Sequence, residues 1–201
     1  SGSKGNAIFV ASQKTKILID NGFSFRQLQL RLSQIGERVE DLSAVFITHE
    51  HSDHTQGIGT LIKKVRLPVY LTRATLEAIQ PALNGFSRVE LFEAGDTVPL
   101  SDMFVTSFSV SHDAVDPVNF VITSDETKLG IAADMGYASK LAFARLQGAN
   151  GLVLEANHCP NLLMSGKYPA FLKQRILGKF GHLSNQAMKE FLCQLLHRDL
   201  K

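Results

Sequence analysis

Three histidines and one aspartate lie within six positions of residues 48–57, in the pattern H-x-H-x-D-H. Residues two apart in an extended segment point to the same side, so His49 and His51 can bind one ion, and Asp53 keeps that parity. His54 is one position further and requires the chain to turn. Imidazole nitrogens and carboxylate oxygens are natural ligands of zinc and similar divalent ions. The spacing therefore predicts two metal ions side by side, and such a pair at roughly 3.5–4 Å can activate water for hydrolysis.

A polar surface loop that happens to be rich in histidine is the simpler explanation of this stretch. The flanking residues favour a metal site instead. Residues 44–47 are apolar and partly β-branched, which predicts a buried strand, and residues 57–64 have the pattern of a helix. Because binding sites in α/β folds tend to lie at the carboxyl ends of strands, the sequence predicts a metal-binding loop between these two elements.

Four further polar residues follow apolar runs or precede a helix, and each has a simpler explanation when taken alone. A lone histidine after a strand is usually structural, and an aspartate there can start a turn or cap a helix. A two-metal site, however, needs more ligands than residues 49–54 supply, and it is expected to contain a bridging carboxylate. The four candidates are His112, Asp134, His158 and His182.

Length and composition exclude several classes of protein. The 201 residues suffice for one well-filled domain and are too few for two ordinary ones. A net charge of +2 gives no overall field that attracts nucleic acid, so any basic surface must be local. Cys159 and Cys193 do not make a disulfide framework, and no apolar run approaches the ~18 residues of a membrane span. The first residues do not resemble a signal peptide, so we expect a cytoplasmic protein without membrane contacts.

Alternating or apolar runs predict strands in both halves of the chain, with helices between and after them. The predicted strands are 7–10, 16–20, 44–47, 68–71, 88–92, 103–110, 118–123, 128–133 and 151–155. The predicted helices are 24–34, 57–64, 73–80, 139–147, 169–177 and 184–197. Leu28, Leu32 and Ile35 are expected on the buried face of the first helix, and Pro81 is expected to end the third. The economical packing is an α/β four-layer αββα sandwich, although periodicity alone does not exclude a single larger sheet.

The H-x-H-x-D-H motif, followed by single His, Asp and His residues at strand ends, resembles the metallo-β-lactamase superfamily over almost the whole chain. Narrower motifs are similar to the YycJ/WalJ type of that superfamily. They are S-G-S-K-G-N at 1–6, T-H-E-H-S-D-H at 48–54, L-E-A-N-H at 154–158, Tyr168-Pro169, L-K-Q-R-I at 172–176 and G-H-L-S-N at 181–185.

The resemblance implies an αββα fold with a centre of two divalent metal ions, zinc or manganese. The implied ligands are His49, His51 and His112 for one ion, Asp53, His54 and His182 for the other, and Asp134 as the bridge. Asp53 is also expected to take part in catalysis. Proteins of the YycJ type are linked to DNA processing as metal-dependent 5′-to-3′ exonucleases, so the resemblance implies DNA as the substrate.

His158 is predicted to be the proton donor, because a histidine titrates near neutral pH; a structural histidine is the alternative. The chain departs from related proteins around this residue. The tRNA 3′-processing enzymes carry His-Glu-Ala-Thr where this chain has residues 154–157, and Cys159 stands where the YycJ type is expected to have Asp. Relative to the family, residues 1–201 are expected to be a single domain clipped at both ends.

Other residues are predicted to support the site or the substrate. Asp20 ends a predicted strand and is expected to accept a hydrogen bond from a ligand histidine, with a solvated strand end as the alternative. Lys4 lies in a small-residue loop that can meet a phosphate or form a plain turn. A basic cluster before the last helix can follow a nucleic-acid backbone or be an ordinary solvated face. Its members are Lys167, Lys173, Arg175 and Lys179.

Two aromatic residues beside this cluster, Tyr168 and Phe171, can stack on bases, although core packing is the favoured explanation. Three other functions compete with hydrolysis of a phosphodiester. They are hydrolysis of a small ester, thioester or lactam, a mononuclear iron oxygenase, and a catalytically inactive scaffold. The scaffold is disfavoured because all seven proposed ligands are present, and the oxygenase would need only two histidines and one carboxylate.

Overall fold

The computed structural model describes residues 4–83, 88–125 and 127–201. Its strands form two sheets of five, ordered β1-β2-β3-β4-β5 and β10-β9-β8-β7-β6. The first sheet consists of β1 (Ile8–Ala11), β2 (Lys16–Ile19), β3 (Ala44–Phe46), β4 (Val69–Leu71) and β5 (Val89–Leu91). Only the β1–β2 pair is antiparallel in this described sheet, and the other neighbours run parallel.

The second sheet is mostly antiparallel. It consists of β6 (Thr97–Leu100), β7 (Met103–Ser109), β8 (Val118–Ser124), β9 (Thr127–Ala132) and β10 (Gly151–Leu154). β10 pairs with β9 in parallel, while β6 to β9 form antiparallel neighbours. Because parallel strands need a crossover, a helix separates β9 from β10.

The helices follow the strands in the order expected for an α/β chain. They are α1 (Phe25–Ser33), α2 (Ser52–Thr55), α3 (Ile58–Val65), α4 (Arg73–Leu83), α5 (Lys140–Leu146), α6 (Pro160–Ser165), α7 (Ala170–Leu177) and α8 (Asn185–Leu195), with a short 3-10 turn at Val39–Asp41. Ser24, Ser139 and Ser184 cap α1, α5 and α8, because each side chain accepts a hydrogen bond from a backbone N–H of the first turn.

Three clusters of buried side chains separate four layers. Alternate residues of β2 and β3 point to opposite faces of the first sheet, so Leu18 and Val45 pack against α1, α3 and α4. Ile17 and Phe46 point the other way and pack against the second sheet. On the far face of the second sheet, buried residues of β7 to β9 pack against α5 and α8. Leu146 of α5 is part of this cluster. The αββα sandwich predicted from the sequence is therefore confirmed.

Several element predictions were wrong for identifiable reasons. Helix α4 continues past Pro81 to Leu83, because a proline in the last turn removes only one intrahelical bond. Strand β6 was missed because it contains Pro99, which is tolerated here since β6 lies at the edge of its sheet. The short helices α2 and α6 were also missed, and Ile35 is 60% exposed rather than buried.

No helix in the described ranges is long and apolar enough to cross a membrane. The predicted chain break at residues 84–85 lies outside the described residues.

Replacement of Phe46 by alanine tests the contact between the sheets. The Phe46 ring is fully buried, stacks on Tyr70 at a centroid distance of 4.6 Å and meets Phe120 edge-on at 5.6 Å. We expect Phe46→Ala to lower the free energy of unfolding by about 3–5 kcal/mol in denaturant titrations, because it leaves a cavity between the sheets. The matched control is Phe104→Ala on β7, whose ring is 51% exposed and should cost about 1 kcal/mol or less. Equal losses for both variants would contradict this account.

Candidate metal centre

The predicted ligands come together at one edge of the sandwich, where strands of both sheets end. His49 follows β3, His112 follows β7 and Asp134 follows β9. A cavity of about 410 Å³ opens over them. Its lining includes His51, Asp53, Asp113, Asp134, Asn157, Arg175 and His182.

Asp20 fixes the loop that carries the first motif. Its carboxylate accepts hydrogen bonds from the backbone N–H of Thr48 at 2.8 Å and from the Thr48 hydroxyl at 2.7 Å. Nδ1 of His54 lies 2.8 Å from the same carboxylate. Asp20 thus pairs with His54, and a carboxylate that accepts from one ring nitrogen sets the orientation of the other.

His49, His51 and His112 form the first cluster. One ring nitrogen of each lies within 4.8 Å of the others. The Thr48 hydroxyl, which donates to Asp20, lies 2.9 Å from Nδ1 of His49, and Nδ1 of His112 donates to the carbonyl oxygen of Gly181 at 3.0 Å. These contacts occupy Nδ1 in two rings, so Nε2 is the nitrogen of His49 and His112 that can bind a metal ion. Nε2 of His49 also lies 3.1 Å from Nδ1 of His51.

A second cluster contains His49, His54 and Asp134. Nε2 of His54 lies 2.7 Å from Oδ2 of Asp134, and Nε2 of His49 lies 3.7 Å from the same oxygen. Asp134 therefore faces both groups of histidines, as a bridging carboxylate must. Asp53 lines the cavity nearby, where its carboxylate accepts a hydrogen bond from the Asn6 amide at 3.0 Å.

His182 is held differently from the other histidines. Its Nδ1 lies 2.6 Å from Oε1 of Glu155, a buried carboxylate at the end of β10, and 3.7 Å from Asp134. The other Glu155 oxygen accepts the backbone N–H groups of Met135 and Leu183. His182 thus groups with Asp134 and Glu155 rather than with Asp53 and His54.

Two adjacent histidines have opposite pKa shifts. Burial, followed by the charge of His54, lowers the pKa of His49 to about 2. Burial also acts to lower the pKa of His54, but the Asp20 charge and hydrogen bonds with Asp134 and Asp20 outweigh it and raise that pKa to about 10. In the metal-free protein His49 is therefore neutral and His54 carries a proton at neutral pH.

The remaining shifts follow the same logic. Burial raises the pKa of Asp134, but its hydrogen bond and charge interaction with His54 prevail, and the pKa lies well below its usual range. Burial lowers the pKa of His112. For His182, burial opposes the hydrogen bond and charge of Glu155, which raise its pKa overall.

The donor atoms fit divalent metal ions. Within the described part of the chain, Nε2 of His112 is buried and has no hydrogen-bond partner. Such an atom is costly to bury unless something binds it. Nitrogen and carboxylate-oxygen donors gathered in this number are typical of zinc and related ions. The site can therefore bind a divalent metal.

Several predicted residues do not line the cavity. His158 is absent from the described lining of the cavity, and both of its ring nitrogens are buried without a partner among the described residues. Its backbone pairs with Ser184. Burial lowers the pKa of His158, and its ring is close enough to Glu155 and His182 for their charges to act on it. Lys4 lines a different groove beside α1 and α3, and the ammonium of Lys173 donates to the Met164 carbonyl. Lys167 is exposed, outside the cavity lining.

Arg175 is the basic residue of the predicted cluster that reaches the cavity in the described structure. Its guanidinium donates to Asp113, which sequence reasoning missed. Oδ1 of Asp113 lies 3.5 Å from Nε2 of His112 and 3.9 Å from Nε2 of His51. The signal for Asp113 was its position directly after His112. Glu155 had a similar signal, because it ends a strand.

Comparisons with known proteins agree with this geometry. A family model described as a beta-lactamase superfamily domain matches residues 15–199. The chain is 38% identical over 200 residues to exodeoxyribonuclease WalJ of Streptococcus pneumoniae serotype 2 (strain D39), covering 98% of this chain and 74% of that protein. It is 36% identical over 188 residues to exodeoxyribonuclease YycJ of Bacillus anthracis, covering 92% of this chain and 71% of that protein.

Solved structures share the fold at low identity. Zn²⁺-bound PqqB from Methylobacterium extorquens superposes with a TM-score of 0.70 at 18% identity, over 90% of this chain and 71% of that one. The short form of human tRNase Z superposes with a TM-score of 0.68 at 17% identity, over 95% of this chain and 82% of that one.

Metal binding is expected to release a proton from His54. Because its pKa is raised to about 10, the ring is protonated at pH 8 in the metal-free protein, and a ligand imidazole must be neutral. Calorimetric zinc titrations of chelator-treated protein, in buffers with different ionisation enthalpies, should show release of about one proton per chain at pH 8. Between pH 7 and 9, this proton should make the apparent affinity rise about tenfold per pH unit. An affinity that is independent of pH in this window would contradict the predicted state of His54.

Proposed function

This chain belongs to the beta-lactamase superfamily, and from that premise we propose that it is a divalent-metal-dependent exodeoxyribonuclease that hydrolyses DNA phosphodiesters. The observation that carries the proposal is the pair of ligand clusters sharing His49 beneath a cavity, in a chain similar over 98% of its length to a named exodeoxyribonuclease. A mononuclear iron site would need fewer ligands, and the relatives' names do not favour a small-molecule hydrolase.

Two ions would be held by the clusters already described, with zinc or manganese as the metals. His49, His51 and His112 hold one ion in this proposal, and His54 and Asp53 hold the other, with Asp134 between them. When bound, such a pair supplies Lewis-acid activation of water and neutralises charge on the phosphoryl oxygens. Asp20 and Thr48 keep the rings of His49 and His54 oriented toward the ions.

Arg175 contributes the positive charge that recognises a phosphate. Its guanidinium lines the cavity, and the contact with Asp113 holds it there. A guanidinium has five N–H donors, so the contact with Asp113 leaves others for phosphate oxygens. The proposed substrate is therefore bound by its backbone, which does not require a particular base.

His182 supplies the proton in this proposal, in place of His158. Glu155 accepts from Nδ1–H of His182 and so directs the second ring nitrogen, Nε2, to the cavity. The attacking water gives up a proton to solvent and forms a P–O bond as hydroxide. As the P–O bond to the leaving group breaks, the leaving oxygen takes the proton from Nε2, and solvent then reprotonates the ring. Glu155 stabilises the protonated ring before this transfer. His182 is then a catalytic residue rather than the metal ligand implied by the family resemblance.

Incubation with end-labelled DNA tests the proposed activity. Purified protein with Mn²⁺ or Zn²⁺ is expected to shorten single-stranded and duplex DNA progressively, and a chelator should abolish the reaction. Asp134→Asn should lose at least about a hundredfold in rate, because a bridging carboxylate is lost. The control is Asp41→Asn, an exposed carboxylate that does not line the cavity. Undiminished cleavage in chelator would reject the proposal.

Activity should also fall steeply with added salt if the DNA backbone is bound.

The variant His182→Ala separates a proton donor from a metal ligand. Loss of a general acid is expected to lower turnover about 10²–10⁴-fold while metal content stays unchanged by elemental analysis. The control is His197→Ala, whose ring bonds the Ala149 carbonyl outside the cavity. A variant that loses a metal ion would show that His182 is a ligand. His158→Ala should reduce turnover far less than His182→Ala, because the ring of His158 does not line the cavity.

A further inference from the structure

Helix α7 has an unusual surface for a helix in a packed domain. Five of its eight residues are apolar, yet none of the residues described in this helix is buried. Phe171 is 72% exposed, and Tyr168, just before the helix, is 58% exposed. The core packing expected for these two aromatic residues from the sequence is therefore wrong. Leu162 and Met164 on the neighbouring α6 are exposed as well.

The exposed face of α7 leads into the cavity. Phe171 and Arg175 are four residues apart in the helix, so their side chains are neighbours on one face. Arg175 lines the cavity, and so do Leu172 and Ile176 on the adjacent face. Phe171 therefore lies one helical turn before Arg175, the residue that binds phosphate in the proposed function.

The charge around this helix favours a polyanion. From Ala156 to Lys189 the sequence contains no aspartate or glutamate. The same segment carries five basic residues, namely Lys167, Lys173, Arg175, Lys179 and Lys189. The whole chain has a net charge of only +2, so this positive charge is local. A protein partner with a mixed surface or a neutral apolar partner would not need such a segment.

Aromatic rings among cations are the pattern that binds single-stranded nucleic acid. Every base has a face that can stack on an exposed ring, and the cations follow the phosphates. Phe180 extends the pattern, because it is exposed and the ammonium of Lys179 lies 5.9 Å from its ring centroid. In a duplex the base faces are already stacked on each other, so the rings fit an unpaired strand better.

We propose that the surface formed by Tyr168, just before α7, and by Phe171 and Arg175 on α7 is a binding site for single-stranded DNA. Bases stack on Phe171 and Tyr168, while Arg175 contacts the phosphate that enters the cavity. The inference rests on the proposed function, since it names the form of DNA that the site takes. In duplex DNA, the cleaved strand would have to separate from its complement where it approaches the metal centre.

The test measures binding without cleavage. Fluorescence anisotropy in excess chelator gives the affinity for a short labelled oligothymidylate and for an abasic strand of equal length. Wild-type protein should prefer the strand with bases. Phe171→Ala should weaken binding of oligothymidylate about 5- to 150-fold, the range that one stacked base contributes, and should lose the preference over the abasic strand. Phe171→Trp should keep both.

Controls distinguish binding of DNA at this surface from binding of a second copy of the chain. Phe104→Ala also removes an exposed ring, but from β7, and should bind like wild type. Equal affinities of wild type and Phe171→Ala would overturn the proposal. So would a wild-type dimer that Phe171→Ala converts to monomer in sedimentation, with unchanged DNA affinity, because a second copy would then cover the face. Binding is measured without metal, so a failure here is distinct from a failure of the cleavage assay.

Discussion

The candidate metal centre depends on the hydrogen bonds that the buried carboxylate of Asp20 accepts. Asp20 lies at the end of β2 with a φ of 62°, a left-handed conformation that aspartate tolerates better than most residues. Three donors surround it: the N–H and hydroxyl of Thr48 and Nδ1 of His54. A buried charge is stable only when it is paired and hydrogen-bonded in this way. These hydrogen bonds offset the cost of burying the Asp20 carboxylate. They also fix the path of the loop at residues 48–54 and the orientation of His54, its last histidine.

The same carboxylate explains why two neighbouring rings behave so differently. The centroids of His49 and His54 are 4.2 Å apart, and both rings are buried. His54 lies between Asp20 and Asp134 and keeps a proton, whereas Nδ1 of His49 meets a hydroxyl. In the metal-free protein, the proton on His54 offsets part of the negative charge that would otherwise be uncompensated in the interior. In the proposed site, a metal ion and this proton would compete for Nε2 of His54.

Sequence reasoning identified what is local and missed what depends on the path of the chain. The motif at 49–54 and the strand ends at His112 and Asp134 were visible because strand periodicity marks where a strand stops. The hydrogen bond of His182 with Glu155, which distinguishes it from His158, was not. Both histidines follow β10, but Glu155 accepts a hydrogen bond from the ring of His182, which lines the cavity. The ring nitrogens of His158 have no partner among the described residues. The exposure of Phe171 was equally hidden, because an apolar pattern does not reveal whether a neighbour covers it.

The two sheets occupy consecutive halves of the sequence, residues 8–91 and 97–154, and each half carries only part of the ligand set. His49, His51 and His54 come from the first half, and His112 and Asp134 from the second. A polypeptide nicked between β5 and β6 would consequently yield two fragments with incomplete coordination spheres. In the proposed arrangement each ion would take ligands from both fragments, so divalent cations would strengthen their reassociation. The extent to which the two fragments reassociate would then report the concentration of free divalent metal.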